Sequence, residues 1–295
     1  MPVIETQNLT RAFKNHTVVN NLNLTVQDSQ VFGYLGPNGA GKTTTIRMLC
    51  GVLPPSSGGA TIAGVSLKNS EQIKARIGYA NQAASVYTDL TVEENLSFKA
   101  GMYLKHAQVK NAVERTMELL KLEPYRKRLA GSLSGGWKQR LSIGTAIIHS
   151  PKIVFLDEPT AGLDPIARRE LWDAIYDLTR EGTTVFVTTH YMDEAERCHE
   201  VALIHSGNIL AQGSPEQLKQ NLRGHYYELE PRDLMAALQQ SKTLGVDDAW
   251  ITGSSLRVSS SRPIPEQDLQ HLGARSRTVP PTLEDVFVTL ARGVK

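Results

Sequence analysis

A glycine-rich loop that ends in Lys-Thr carries the clearest chemistry in the sequence. It follows the apolar run 31–35, opens a helical pattern, and reads Gly36, Pro37, Asn38, Gly39, Ala40, Gly41, Lys42, Thr43 and Thr44. Glycines have no Cβ, so their backbone can wrap closely around phosphate oxygens. Unpaired N–H groups of residues 39–44, at a helix N-terminus, favour a negative charge. Because Lys42 can reach the β- and γ-phosphates and the Thr43 hydroxyl can ligate Mg²⁺, the loop predicts a nucleoside triphosphate site.

Two adjacent acids, Asp157 and Glu158, follow the continuous apolar run 153–156. Such a run is typical of a strand covered on both faces, and a parallel sheet presents its active groups at the carboxyl ends of its strands. Asp157 could hold Mg²⁺ directly or through its second coordination sphere, and Glu158 could orient and polarise the attacking water. The alternative is a charge pair at a helix N-terminus. The phosphate loop in the same chain favours the catalytic interpretation.

A second glycine pair suggests another anion-binding helix terminus. Ser134 is placed as an N-cap, and Gly135 and Gly136 after it permit close approach to the backbone. One chain needs only one phosphate cradle for each nucleotide. The second terminus therefore suggests a site that serves a nucleotide held by another copy of the chain.

Strands and helices alternate around the phosphate loop. The apolar runs 153–156 and 184–188 predict buried strands, and the segments 168–180 and 192–198 predict helices between them. This alternation predicts an α/β fold with a parallel sheet. Residues 83–149 are mostly helical in pattern, starting from a capping box at Thr91 that opens a helix through Leu104, and are expected to form an inserted helical subdomain.

The pattern changes again from about residue 221. The expected elements are a strand at 226–229, a helix at 233–242, a hairpin at 249–252 and 256–258, a helix at 265–272 and a strand at 274–279. This βαββαβ order predicts a small α+β domain of the ferredoxin-like type. A last helix over 282–292 has Thr282 and Asp285 as its capping pair. We therefore expect domains at 1–220 and 221–295.

Composition limits the classes of partner. The chain has 295 residues with 32 basic and 30 acidic side chains, and this balance gives no nucleic-acid footprint. The two cysteines, Cys50 and Cys198, have no metal-site spacing and are expected to be core residues in a reducing cytosol. No secretory signal is visible, and no stretch approaches the ~20 apolar residues that cross a bilayer. If the protein works at a membrane, another chain must supply the membrane part.

In order along the chain, six motifs resemble those of the ATP-binding cassette (ABC) ATPases, and the resemblance covers about residues 3–218. They are the phosphate loop, the Q-loop Gln82, the signature motif 133–136, the Walker B pair 157–158, the D-loop ending at Asp164, and the switch histidine His190. The resemblance implies the P-loop NTPase fold of an ABC nucleotide-binding domain with an inserted helical subdomain. It also implies ATP and Mg²⁺ as cofactors.

Further residue roles follow from the resemblance alone. Gln82 would contact Mg²⁺ or the attacking water, and His190 would contact the γ-phosphate and hold the water together with Glu158. Asp164 would belong to the nucleotide-binding set. From the residues alone, Phe13 is as well explained by a core or edge position as by stacking on a base. The resemblance favours stacking on adenine.

The resemblance also implies an assembly. Two cassettes would pack head to tail, so that Ser134, Gly135 and Gly136 act on the ATP held by the other copy. The segments 164–169, 213–216 and 280–287 resemble the ATPase subunits of bacterial type-2 drug and multidrug exporters. This implies two ATPase chains and two separate permease chains, at the cytoplasmic face of the cell membrane. Residues 83–149 would carry the groove that receives the permease.

Three alternatives remain at this point. A cassette ATPase acting on ribosomes or DNA usually has two cassettes in one chain or long coiled coils, and neither is visible. An importer ATPase subunit would have a regulatory C-terminal domain, whereas the ending here is exporter-like. A nucleotide-gated binding module without turnover would lack Glu158 or His190, and both are present.

Overall fold

Buried apolar strands organise the computed structural model, which describes residues 2–273 and 275–293. The chain divides into two units, Met1–Ser214 and Pro215–Lys295. This division falls after Ser214 rather than after residue 220, because the helix Pro215–Asn221 packs on the last helix of the second unit.

The first unit contains both strands and helices. Its strands are β1 (Pro2–Phe13), β2 (His16–Leu22), β3 (Thr25–Gln27), β4 (Val31–Leu35), β5 (Ser57–Ile62), β6 (Val65–Ser66), β7 (Ile77–Ala80), β8 (Ile153–Asp157), β9 (Thr184–Thr189), β10 (Glu200–His205) and β11 (Asn208–Gly213). Its α-helices are α1 (Lys42–Leu49), α2 (Ser70–Lys74), α3 (Val92–Gly101), α4 (His106–Leu120), α5 (Gly135–Ile147), α6 (Pro165–Arg180) and α7 (Met192–Ala195).

The main sheet of the first unit has the strand order β11-β10-β4-β9-β8-β7. From β10 to β7 all neighbours are parallel, and β11 is antiparallel to β10. Every residue of β4, β8 and β9 is buried, which fits strands covered on both faces. The α/β fold with a parallel sheet predicted from the apolar runs is confirmed.

A second sheet covers one side of this core. Its order is β2-β1-β5-β6, with β3 also paired to β1, and all of its pairs are antiparallel. Apolar side chains of both sheets and of α1 pack into one cluster, which includes Ile4, Phe32, Ile46 and Phe155. Helix α1, which starts at Lys42, is therefore held rigidly between the two sheets.

Residues 83–149 contain helices α3, α4 and α5, which pack against one another. The capping box predicted at Thr91 is confirmed, because its hydroxyl accepts from Glu94 N–H while the Glu94 carboxylate accepts from Thr91 N–H. Two predicted helix ends are too late. Helix α3 ends at Gly101 rather than Leu104, since glycine disfavours a helix interior, and α7 ends at Ala195 rather than Cys198.

The second unit contains α8 (Pro215–Asn221), β12 (His225–Leu229), α9 (Leu234–Ser241), β13 (Asp248–Thr252), β14 (Ser255–Ser260), α10 (Glu266–Leu272), β15 (Ser276–Thr278) and α11 (Leu283–Gly293). Its antiparallel sheet has the order β13-β14-β12-β15, which with the βαββαβ connectivity is the predicted ferredoxin-like arrangement. The expected last strand began at Ala274, which lies outside the described residues. Thr282 and Asp285 form the predicted capping pair of α11.

Two other features bear on the sequence predictions. Cys50 and Cys198 are both free and buried, and burial raises the pKa of each thiol. They therefore pack as small apolar residues, as expected. Among the described residues, no helix combines the length and the apolarity needed to cross a bilayer.

We expect Thr91→Ala to destabilise the start of α3, because Glu94 N–H loses its acceptor. The start of α3 should lose about 1 kcal/mol of stability, which corresponds to about a fivefold faster hydrogen exchange at the Glu94 amide. Ser97→Ala in the same helix is the control and should leave that exchange rate unchanged. Equal exchange in the Thr91→Ala and wild-type proteins would contradict the capping role.

Candidate functional site

Three neighbouring strands of the main sheet end at the candidate site. The phosphate loop follows β4, Asp157 ends β8 and Glu158 comes next, and His190 follows β9, which lies between the other two strands. Because β4, β9 and β8 are parallel, their carboxyl ends lie at one edge of the sheet. Residues that are up to 154 positions apart in the sequence (Gly36 to His190) thus meet at one place.

The phosphate loop packs tightly against neighbouring backbone. A Cβ on Gly36 would lie 2.4 Å from the carbonyl oxygen of Ile204, and a Cβ on Gly41 would lie 2.7 Å from that of Val18. Gly41 also has a φ of 102°, in the left-handed region that favours glycine. These glycines are therefore required by the packing of the loop itself, in addition to the close approach to phosphate expected from the sequence.

One backbone donor of the loop does not match the sequence expectation. We expected the N–H groups of residues 39–44 to be unpaired, but Ala40 N–H donates to Pro37 O at 3.2 Å. This short turn closes the loop before α1 begins. Gly207 N–H donates to Ala40 O at 3.2 Å, so the turn between β10 and β11 also holds the loop.

The ammonium group of Lys42 lies across the loop. Its Nζ donates to Gly36 O at 2.8 Å and to Pro37 O at 3.3 Å, and it forms an ion pair with Glu158 Oε1 at 3.0 Å. These three acceptors match the three N–H donors of an ammonium group. The side chain is 5% exposed, so the cation is fixed inside the cradle it would share with phosphate oxygens.

The carboxylate of Glu158 joins the predicted hydrolytic residues. Besides Lys42, it accepts a hydrogen bond from Gln82 Nε2 at 3.2 Å on Oε2. The same oxygen lies 3.3 Å from His190 Nδ1, without the angles of a hydrogen bond. Lys42, Gln82 and His190, each predicted to have a role in the site, therefore surround one carboxylate that is 11% exposed.

The backbone at Glu158 adopts an unusual conformation. Its φ is 47°, a left-handed value that costs a residue with a Cβ about 1–2 kcal/mol. Glu158 N–H donates to Thr188 O at 3.2 Å and to Thr188 Oγ1 at 3.0 Å, and this pair of acceptors offsets the cost. The Thr188 hydroxyl also donates to Asp157 Oδ1 at 2.6 Å. Thr188 thus orients both acids, a role that the strand pattern alone did not indicate.

The donor set suits the predicted magnesium ion. Thr43 contributes a hydroxyl, Gln82 an amide oxygen and Asp157 a carboxylate, and such oxygen ligands, together with phosphate oxygens, are what Mg²⁺ prefers. The described residues contain no cluster of three or more His, Cys, Asp or Glu side chains that would form an all-protein metal site. A cleft of 260 Å³ lies beside the loop, lined by Val18, Asn38, Gly39, Gly41, Lys42, Thr43, Thr44, Gln82 and Glu158.

The signature residues lie in a different cleft, of 460 Å³. It is lined by Ser134, Gly135, Gly136, Trp137, Arg140, Gly162, Leu163, Asp164, Ile166, Ala167 and Glu170. This cleft has no lining residue in common with the phosphate-loop cleft. The structure therefore does not bring Ser134, Gly135, Gly136 and Asp164 together with Lys42 and Glu158 in one cavity of one chain.

Ser134 and Asp164, which both line the second cleft, differ in whether they cap the helix that each one precedes. Ser134 stands at the N-cap of α5 but makes no capping hydrogen bond, so its hydroxyl does not satisfy its own helix. The Asp164 carboxylate does cap its helix, because Oδ1 accepts from Ile166 N–H at 2.9 Å and from Ala167 N–H at 3.0 Å. The binding role of Asp164 remains a prediction, and it would have to be shared with this cap.

Phe13 ends β1 and is 43% exposed. The guanidinium carbon of Arg11 lies 4.4 Å from the centre of its ring, so one face of the ring is covered by a cation. Phe13 does not line the phosphate-loop cleft. Its exposure is compatible with stacking on a base, and that role stays a prediction.

Comparison with known proteins places these features in context. Residues 19–161 match a family described as "ABC transporter". The chain is 36% identical over 300 residues to the Nod factor export ATP-binding protein I of Cupriavidus metallidurans, covering 98% of this chain and 97% of that protein. It is 42% identical over 219 residues to the probable multidrug ABC transporter ATP-binding protein YbhF of Escherichia coli, covering 74% of this chain. The chain spans only 38% of the length of YbhF.

A solved structure of an ABC transporter component is also similar to this chain. The cbiO1 protein of Clostridium perfringens, part of the ABC transporter complex cbiONQ, has a TM-score of 0.69 and 26% identity, and the match covers 75% of this chain and 91% of that chain. The sequence and structure comparisons agree with the resemblance carried by the six motifs.

We expect Lys42→Ala to weaken nucleotide binding about ten- to hundredfold, because it deletes the cation that charge-assisted hydrogen bonds to phosphate require. It also leaves the Glu158 carboxylate without its ion-pair partner. Equilibrium binding of a fluorescent ATP analogue measures the change, and Lys68→Ala, at an exposed lysine, is the control. Wild-type affinity in Lys42→Ala would contradict the assignment of the loop.

Proposed function

The chain belongs to the ATP-binding proteins of ABC transporters, and we propose that it binds and hydrolyses ATP to drive export through separate permease subunits. The observation that carries the proposal is the cluster around Glu158. A carboxylate within 3.3 Å of a phosphate-loop lysine, a glutamine and a histidine is the arrangement that orients a water molecule toward a γ-phosphate.

The reaction uses these side chains in defined roles. Lys42 binds the β- and γ-phosphates, in competition with its ion pair to Glu158. Glu158 accepts a hydrogen bond from the attacking water and polarises it, and His190 and Gln82 hold the water and the γ-phosphate oxygens in place. Thr43, Asp157 and Gln82 would hold Mg²⁺, which neutralises phosphate charge when bound.

The second cleft supports a head-to-tail pair of chains. Gly135 and Gly136 begin α5, where backbone N–H groups and the helix dipole favour an anion. Because that cleft has no lining residue in common with the phosphate-loop cleft, its natural partner is the nucleotide of a second copy. ATP would join the two chains through its γ-phosphate, and hydrolysis would remove that contact and release them.

An exposed apolar patch supports docking of a membrane partner. Tyr87, Phe98 and Met102 are 57%, 50% and 62% exposed, and we call them the helical-subdomain patch. Beside it, Tyr103 and His149 line a cleft of 270 Å³, where their rings stack at 4.2 Å. The pKa of His149 is lowered, mainly by burial, so the His149 side chain packs as a neutral ring. Exposed apolar side chains next to a cleft are typical of a protein-binding site.

The direction of transport and the class of cargo are inferred by analogy with the relatives. One relative is named for Nod factor export and another as a probable multidrug transporter protein. We therefore infer export of a drug-like, lipid-like or ionic compound, with two copies of this chain and two permease chains at the cytoplasmic face of the membrane. The permease, not this chain, would contact the cargo.

We expect Glu158→Gln to leave ATP binding intact and to slow hydrolysis by about 10²–10⁴, because the amide cannot accept a proton from water. Steady-state release of inorganic phosphate measures the rate, and nucleotide binding is measured in parallel. Glu118→Gln, at an exposed position of α4, is the control with the same chemical change. Unchanged turnover in Glu158→Gln would remove this residue from its role.

We expect the chain to co-purify with a membrane permease, and we expect the rate of ATP turnover by the chain to change when that permease is present. Phe98→Asp should reduce co-purification, because it places a charge in the helical-subdomain patch, while basal turnover is retained. Met235→Asp, at an exposed residue of the second unit, is the control. Strong turnover without a membrane partner, together with retention on ribosomes or DNA, would instead support a non-transport ATPase.

A further inference from the structure

A buried carboxylate outside the two clefts connects segments that carry the hydrolytic side chains. Glu194 lies in α7, four residues after His190, and its exposure is 0%. Each of its oxygens accepts one hydroxyl hydrogen bond. Thr160 Oγ1 donates to Oε1 at 2.5 Å, and Thr189 Oγ1 donates to Oε2 at 2.6 Å.

The first of these threonines belongs to the segment that follows Glu158. Ala161 N–H donates to Glu158 O at 3.2 Å, and Leu163 N–H donates to Thr160 O at 3.1 Å. Thr160 is therefore inside a run of turns that begins at Glu158 and leads to Asp164. A hydrogen bond at Thr160 fixes the position of this whole run.

The second threonine belongs to the turn that presents His190. Thr189 Oγ1 accepts from Tyr191 N–H at 3.0 Å, so its own proton is directed to Glu194. The carbonyl oxygen of Thr189 also accepts from Gly36 N–H at 3.3 Å, at the start of the phosphate loop. Thr189 thus ties His190 to the loop on one side and to Glu194 on the other.

A cation connects the same two segments by a parallel route. Arg168 lies in the first helical turns of α6, after the cap at Asp164. Its Nε lies 3.7 Å from Glu194 Oε1, and its guanidinium lies 5.0 Å from the ring centre of Tyr191. The Tyr191 ring in turn lies 4.0 Å from the ring of His190.

We propose that Glu194 is a positioning residue for hydrolysis, which holds the His190 turn and the Glu158 turn in one fixed relation. The proposal rests on the ATPase function proposed above. A purely structural role is a poor explanation for this carboxylate, because burying a charge is costly and the nearest cation is beyond hydrogen-bond distance. Two hydroxyl groups of defined orientation provide positional accuracy, which matters where reacting groups must be aligned within fractions of an ångström.

The two hydrogen bonds from Thr160 and Thr189 to Glu194, which we call the brace, also connect hydrolysis to the second cleft. Residues 162–164 line that cleft, and only Ala161 separates them from Thr160 in the chain. A contact made there by another copy would act on Thr160 and Arg168, and through Glu194 on the turn that carries His190. The brace therefore provides a route by which the neighbouring chain could set the geometry of the hydrolytic residues.

The first test separates catalysis from binding. We expect Glu194→Ala to lower kcat by about tenfold or more, since small misplacements of reacting groups have large effects on rate. Its affinity for ATP should stay within about twofold of wild type, because neither cleft contains Glu194 among its lining residues. Glu194→Gln should recover most of kcat, because its amide can accept from Thr189 and donate to the Thr160 hydroxyl.

The second test uses a milder change. Thr160→Val removes one hydrogen bond of the brace, and we expect it to lower kcat in the wild-type background but not further in Glu194→Ala. Thr183→Val is the matched control, because it also removes a buried threonine hydroxyl, one that donates to Pro151 O at 3.4 Å just before β9 begins. It should leave kcat unchanged. Circular dichroism and thermal unfolding verify that each variant is folded.

The outcomes distinguish this proposal from the proposed function. An active wild-type protein whose folded Thr160→Val and Glu194→Ala variants turn over at the wild-type rate would overturn the positioning role alone. Equal loss of kcat and ATP affinity in these variants would also overturn it, because that pattern indicates general structural damage. A wild-type chain without ATP turnover, alone or with its membrane partner, would overturn the ATPase function and this inference together.

Discussion

The register of β9 between its two neighbours is the constraint on which the site depends. Leu35 pairs with Thr189 and Asp157 pairs with Thr188, so the ends of β4, β9 and β8 lie level. A slip of one residue would turn Thr188 to the opposite face of the sheet. It would then lose its hydrogen bonds to Asp157 and Glu158, and the backbone of Glu158 would lose the acceptors that support its positive φ. The continuous apolar packing of these strands therefore protects the geometry of the candidate site as well as stability.

Each of the two charged groups at the centre of the site, Glu158 and Lys42, contacts several polar groups. Glu158 contacts a cation, an amide and an imidazole, and Lys42 has two carbonyl oxygens besides that carboxylate. In a partly buried cluster, each exchange of partner changes electrostatic energy more than it would in water. The arrival or loss of a phosphate group at Lys42, as proposed, would therefore redistribute interactions over the whole cluster. This is a physical basis for a site whose geometry depends on the state of the nucleotide.

The sequence predicted what depends on local patterns. The phosphate loop, the acids at the end of β8, the capping box at Thr91 and the βαββαβ order could each be predicted from short segments, because their physics is local. Contacts between segments that are distant in the sequence could not be predicted in this way. The close packing of Gly36 on Ile204 and the role of Thr188 require the strand order, which no single segment contains. Likewise, a hydroxyl at a helix start predicts a cap, yet Ser134 makes no capping bond while Asp164 does.

The separation of the two clefts has a thermodynamic consequence. In the proposed assembly each nucleotide is bound by the loop of one chain and the signature helix of another, so a single chain offers only part of the contacts. The concentration of the protein itself then becomes a variable in nucleotide affinity, and ATP becomes a variable in the association of chains, by the same coupling energy. A dilute chain and a chain confined at a membrane surface would differ in ATP affinity without any change in structure. Confinement beside a permease would thus act as an effector.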